Sequence, residues 1–253
     1  MDYSEIPRTR ISGSSRMNIP EYGTIKISGS GSISPEKIST SGNSHIPGGL
    51  KIGSLKTSGS TRIEGDITAD TINLRGSAYI EGGVKTEEIT KSGSLRVEKN
   101  LETKYGKFSG STKIRGAGYI ERELDASGST SFGDELVSED RILYRGVLQV
   151  NGRVKAKSFE ARLSNDESYI RDWLEANYIN IQVSHSDWGN RGRLVTRDIT
   201  GKDITLENVE CDNVTGENIT ILPGCHIRGK VQYSENIKVD PKSKLDNKPL
   251  KTE

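Results

Sequence analysis

Two cysteines, Cys211 and Cys225, and three histidines, His45, His185 and His226, are the residues of this 253-residue chain best suited by type to nucleophilic or metal chemistry. The cysteines stand 14 residues apart, a number and spacing that make neither a disulfide framework nor a zinc site. A thiol nucleophile needs a base within reach, and no His/Asp set surrounds either cysteine. Both read as buried thiols acting as small hydrophobes. Cys225 and His226 are adjacent, but neighbours on a strand point to opposite faces, which argues against a shared metal. Acidic residues recur at Glu64, Asp66, Glu81, Glu87 and Glu88. A calcium-dependent, polysaccharide-cleaving site on a β-helix would cluster such carboxylates. Here they alternate with Lys and Arg, which reads as a solvated face with cross-rung pairing. The calcium-binding nonapeptide is absent. So is the phosphate-cradling G-x-x-x-x-G-K-[ST], and the many glycines fit corners that need positive φ. No catalytic residue, cofactor or metal is expected, so the chain does not read as an enzyme.

One stretch suits recognition. SHSDWGNRGR (184–193) is a Gly-rich loop carrying Trp188, Arg191 and Arg193, and loops held on a rigid scaffold often bear function. Trp and Arg are also common hot-spot types. The plainer reading packs Trp188 back on the scaffold wall. The segment Tyr169–Trp173 is either a second docking patch or an apolar cover.

The scaffold itself is a ladder. From Thr57 to Gly116 the chain reads in lines of 17: TSGSTRIEGDITADTIN, LRGSAYIEGGVKTEEIT, KSGSLRVEKNLETKYGK, FSGSTKIRG. Gly59, Gly76, Gly93 and Gly110 form one column, Ile63, Ile80, Val97 and Ile114 a second, Ile67, Val84 and Leu101 a third. A fixed period with apolar and Gly columns marks a repeat architecture. Pairs such as Ile72/Leu74 and Ala78/Ile80 alternate at the strand period, and Gly-Asp, Arg-Gly-Ser and Glu-Gly-Gly between them are turn chemistry. Each line is therefore a coil of short strands, and stacked coils make an all-β, parallel β-helix (β-solenoid) of ~17-residue coils. Parallel connections are right-handed in about 98% of cases, and the uneven steps do not fit strict hexads, so the expected hand is right. Glycine spacing is irregular at the start, 16 and 13 between Gly13, Gly29 and Gly42, which suggests a bent or incomplete first coil.

The expected organisation is a polar tail over 1–10, a Ser-Gly-Ser ladder over 11–155, variant coils over 156–245 with the projecting loop 184–193, and a loose charged tail over 246–253. Tyr169–Ala176 could be a helix, since Ile170, Trp173 and Leu174 share a helical face. DITL (203–206), NITI (218–221) and NIKV (236–239) are three copies of one strand.

Apolar residues are 31% and aromatics 6%, poor for a globule but enough for a thin solenoid whose repeats pack only on neighbours. With Lys and Arg at 36 against Asp and Glu at 35, the balance leaves no footprint for nucleic acid or an anionic membrane. The opening residues lack the apolar core of a signal peptide and no run approaches a membrane span. The expectation is a cytoplasmic protein with no support for membrane association.

The ISGS repeats and the segment DITLENVECDNVTGENITILPGCHIRGKVQYSENIKV (203–239) resemble the bactofilins, polymer-forming cytoskeletal proteins of prokaryotes. Within that segment Leu206-Glu207-Asn208, Ile221 to Ile227 and Val231 to Glu235 carry the resemblance to the longer, two-part members. It covers roughly residues 10–245, and 221–235 is its most distinctive part. The resemblance implies a β-helix that polymerises end to end, without nucleotide, into non-polar filaments that scaffold other proteins. The partners expected are therefore further copies of the chain and a protein cargo.

Polymerisation also has a physical basis. A β-helix ends in edge coils with unpaired N–H and C=O groups, which proteins cover or exploit. The terminal coils keep apolar residues: Ile11, Ile19, Ile25 and Ile27 at one end, Ile237, Val239 and Leu245 at the other. These seven are the expected polymerisation interface, unless the tails fold over the ends. The alternative is a non-polymerising solenoid that recruits a partner through the 184–193 loop.

Overall fold

In a computed structural model, which describes residues 3–184 and 192–252, every regular element is a β-strand. The chain divides into two compact units, Met1–Glu121 and Arg122–Glu253. That division falls earlier in the chain than the change of repeat near residue 155.

The first unit holds β1 (Thr9–Ile19), β2 (Gly23–Ile33), β3 (Lys37–Pro47), β4 (Leu50–Glu64), β5 (Ile67–Ile80), β6 (Val84–Val97) and β7 (Leu101–Ile114). From β3 onward the strands are parallel and each wraps most of a coil. Gly42, Gly59, Gly76, Gly93 and Gly110 fall in register one above the other. The glycine column is a steric requirement. Gly76 has φ +98°, and a Cβ there would lie 2.4 Å from the carbonyl oxygen of Gly59 on the preceding rung. Inward columns such as Leu50/Ile67/Val84/Leu101 and Ile63/Ile80/Val97/Ile114 are buried. Thr86 and Thr103 also point inward, at a corner. Thr86 donates to the carbonyls of Asp70 and Glu88, and Thr103 to those of Glu87 and Tyr105. A buried hydroxyl is tolerated there because it satisfies backbone acceptors that the corner leaves unpaired.

The parallel expectation fails at the beginning of the chain. β1 pairs with β2, and β2 with β3, in antiparallel register: Gly13 opposite Gly29, Gly29 opposite Gly42. The glycine column survives the reversal, which is why spacing alone did not betray it. Two tight turns cause it. Pro20-Glu21-Tyr22 carries Glu21 at φ +67°, with the Tyr22 amide donating to the Ile19 carbonyl. Ser34 and Lys37 close the second turn through reciprocal backbone bonds. Three-residue links can join antiparallel neighbours but cannot carry a crossover. The segment before β1 is also not a free tail. The Ser4 amide donates to the Lys51 carbonyl at 2.8 Å, the Lys51 amide to Ser4 Oγ at 3.0 Å, and Ile6 is buried.

The second unit contains the end of β8 (Gly118–Phe132), then β9 (Leu136–Ser138), β10 (Arg141–Val150), β11 (Val154–Leu163), β12 (Glu167–Val183), β13 (Arg193–Leu206), β14 (Val209–Cys211), β15 (Asn213–Ile221), β16 (His226–Ile227), β17 (Val231–Val239), β18 (Lys244–Leu245) and β19 (Leu250–Lys251). All of its pairings are parallel. Leu124, Ile142, Phe159, Ile179, Ile204, Ile219 and Ile237 make one inward column. The three expected strands DITL, NITI and NIKV are consecutive rungs of it.

Two further expectations are corrected here. Residues 169–176 belong to strand β12, not a helix. Ile170 and Leu174, four apart, share one face of a strand as readily as one face of a helix. Trp173 broke the tie wrongly, because the pairing slips between Ile170 and Trp173 and leaves Trp173 outward, 37% exposed under the Arg153 guanidinium. The last residues are not loose either, since Leu250 and Lys251 pair with Gln232 and Tyr233.

Candidate functional site

The residues expected to form an assembly interface lie in two quite different settings. In the first unit Ile11, Ile19, Ile25 and Ile27 are all buried, at 8%, 0%, 1% and 2% exposure. The hairpin of β1 and β2 lies over the column and hides them, so they are core and offer no surface. The premise that an apolar coil lies open at this edge is therefore corrected. What β1 does present is a polar backbone edge. It is the outermost of the paired strands in the unit, with Arg10, Ser12, Ser14 and Arg16 exposed. A Cβ built on Gly13, at φ +85°, would meet nothing within 4 Å. The corresponding atom on Gly29 would strike the Ser41 carbonyl oxygen at 2.0 Å. The glycine column thus continues into a strand that has no rung beyond it among the described residues.

In the second unit the final coil is open. Ile237 and Val239 sit on one rung, over Ile219 and Ile221, and Leu245 sits over Ile227. Ile219, Ile221 and Ile227 are buried, whereas Ile237 and Leu245 are half-buried and Val239 is 39% exposed. Leu250, which sequence reasoning placed in a loose tail, is 58% exposed but stands on the outward column, opposite Gln232 and beyond it Thr215. No strand among the described residues pairs with the outer edge of Asn236–Val239. The side-chain ladder ends at the same place: Asn218 Nδ2 donates to Asp203 Oδ1 and Asn236 Nδ2 to Asn218 Oδ1, both at 3.0 Å. Lys244, His226 and Asp246 rim this coil, with Lys244 Nζ 2.9 Å and His226 Nε2 3.3 Å from Asp246 Oδ1. The hydrogen bond from Lys244, and after it that from His226, holds the Asp246 carboxyl below its ordinary pKa.

Of the expected recognition loop, Trp188 and Arg191 lie outside the described residues. Arg193 is the first residue of β13 and is engaged within the unit: its Nη1 lies 2.8 Å from Glu210 Oε2. Glu210 also meets Arg228 Nη1 at 2.7 Å, and Arg228 Nε contacts Asp212 at 2.9 Å. Arg193 is thus one member of a four-residue ion-pair network across neighbouring rungs.

Cys211 and Cys225 are both buried, and burial pushes both thiols up from their ordinary pKa. Cys225 Sγ donates to the Leu206 carbonyl. Protonated, buried thiols are poor nucleophiles. Among the described residues no group of three or more His, Cys, Asp or Glu side chains is placed to hold a metal. The arrangement that remains is a pair of unfinished edges, one polar and one apolar. No family model, no curated protein and no solved structure matches the chain.

Proposed function

We propose that this chain is a structural protein that self-assembles end to end, without nucleotide, into filaments that scaffold other proteins. The observation that carries the reading is the final coil of the second unit, where Ile237, Val239 and Leu245 remain partly uncovered, the first two on an unpaired strand edge. A second copy of the chain is the natural cover, since the same apolar rung stacks equally well on its own kind. Complete burial of an aliphatic side chain contributes about 1.5–3 kcal/mol. Three partly exposed ones therefore contribute several kcal/mol, which association entropy largely offsets. Backbone bonds along the rung, at about 0.5–1.5 kcal/mol each, make up the difference. Assembly through this coil is accordingly concentration dependent.

The β1 edge is polar and so is a poor match for that apolar coil. Like therefore joins like, with apolar coil against apolar coil, and β1 of one chain against β1 of another through backbone hydrogen bonds. Alternation of the two junctions generates a thread without polarity. The resemblance of 203–239 to bactofilins supports the same reading. Negative-stain microscopy of the purified protein in nucleotide-free buffer tests it. Uniform thin threads are expected, and single short particles at all concentrations overturn it.

A further inference from the structure

A second surface, on the flank of the first unit, has a different character. The pairings put Arg16 opposite Lys26, Lys26 opposite His45, and His45 opposite Arg62. Four basic side chains thus stand on consecutive rungs of one outward face, about 4.8 Å apart. The column runs on through Tyr79, Arg96 and Lys113. Its two halves are balanced differently. Two residues further along the strands, Glu64, Glu81 and Glu98 pair with His45, Arg62 and Arg96. Beside Arg16 and Lys26 the same positions are Asn18 and Thr24. Neither Arg16 nor Lys26 has an acidic partner among the described residues, and both are exposed. Like charges directly opposite across an antiparallel pair are destabilising, so nothing in the folding of β1 on β2 accounts for this juxtaposition.

The two cations border a groove of about 630 Å³, lined also by Ser14, Ser28, Asn43 and Ser60. These four form the adjoining column, each opposite the next, and all are exposed. The groove therefore offers an uncompensated cationic pair beside a row of hydroxyl and amide groups.

We propose that this groove is a binding site for an acidic glycan, a sugar chain whose carboxylate or sulfate sits between Arg16 and Lys26 while its hydroxyls meet Ser14, Ser28, Asn43 and Ser60. The chemistry separates this ligand from other polyanions. Single-stranded nucleic acid is held by bases stacked on aromatic side chains; the groove lining contains no Phe, Tyr or Trp, and its one ring, the His45 imidazole, is engaged by Glu64. Further along the column Tyr79 has the guanidinium groups of Arg62 and Arg96 over it at 5.6 and 5.7 Å. Peripheral attachment to a membrane adds apolar side chains to basic ones, and none of the exposed large hydrophobic residues lies in the groove. Arg can grip a carboxylate or sulfate through two parallel N–H donors.

The site does not depend on self-assembly. Titration calorimetry at low salt with hexagalacturonate, a sulfated glycosaminoglycan hexasaccharide and neutral maltohexaose tests it. At least one acidic hexasaccharide should bind and maltohexaose should not, with affinity falling as salt rises. Loss of charge-assisted bonds in the double variant Arg16→Ala/Lys26→Ala should weaken binding at least about tenfold. Arg75→Ala, on another column, should leave binding unchanged. Both side chains are exposed, so the double variant should melt like the parent. If it does not, Lys26→Gln is measured instead, with a smaller loss in the same direction. The proposal is overturned if neither acidic hexasaccharide binds, if the variants bind as well as the parent, or if oligo-dT or phosphatidylglycerol vesicles bind the groove more tightly than either glycan.

Discussion

Lys91 lies in the inward column between Leu74 and Phe108 and is 2% exposed. Its Nζ donates to the carbonyls of Gly93 at 3.1 Å and Ser111 at 2.7 Å, and among the described residues no carboxylate forms an ion pair with it. Burial pulls its pKa down from 10.5 to about 8. Each tenfold gap in proton affinity is worth about 1.36 kcal/mol, so keeping the amine charged in the fold costs about 3 kcal/mol. The cost is fully present below about pH 8, where folded and unfolded chains are both protonated. Between about 8 and 10.5 the unfolded chain binds more protons than the folded one, so stability rises with pH across that window. Above it the cost is gone. Lys91→Met removes the charge and suits the apolar neighbours, but it leaves two carbonyl oxygens without their donor at about 1 kcal/mol each. The expected net gain at pH 7 is about 1 kcal/mol, and by pH 10.5, where the charge cost is nearly gone and only the lost bonds remain, the variant should be the less stable by about 1–2 kcal/mol. Urea unfolding of parent and variant at pH 7, 9 and 10.5 measures it. A variant less stable than the parent at pH 7, together with a parent whose stability is flat from pH 8 to 10.5, would refute the reasoning.

Other outcomes follow from particular contacts. Gly76→Ala places a Cβ 2.4 Å from the Gly59 carbonyl oxygen at φ +98°; strain and displacement should cost about 2–4 kcal/mol in a thermal or urea melt. Tyr144→Phe removes a 2.7 Å bond from Tyr144 Oη to the Gly128 carbonyl within the core and should cost about 1–2 kcal/mol by the same measurement. Deleting residues 1–8 strips the Ser4 bonds from Lys51 and removes buried Ile6; amide exchange at Lys51 should rise, with a loss of about 2 kcal/mol in the first unit.

The coil architecture was legible because period and side-chain type agreed at every rung: the Gly42 to Gly110 column and the Ile63 to Ile114 column are found where the 17-residue spacing predicts. The antiparallel start was not legible, because Gly13, Gly29 and Gly42 align in either chain direction. Only the brevity of the Pro20–Tyr22 and Ser34–Glu36 links carried the signal. The same misreading made core residues of the hairpin, Ile11 to Ile27, look like an exposed interface. Lys91 escaped notice because a lysine in an outward-reading SGS line gives no sign that its stem lies inward. Leu250 was missed because a charged, Pro-containing tail seldom hides a last rung. The Arg16/Lys26 column was invisible until pairing registers were known, since its members are scattered at unequal intervals along the chain.

On the proposed reading, the open apolar coil of the second unit drives self-association. Sedimentation velocity of the parent and of Val239→Glu over a range of concentrations separates that coil's contribution from that of the β1 edge. The parent should grow into larger species as concentration rises, and Val239→Glu, with an unchanged melt, should stop at the smallest species that the β1 edge alone can build. Indistinguishable sedimentation of the two proteins would contradict the account.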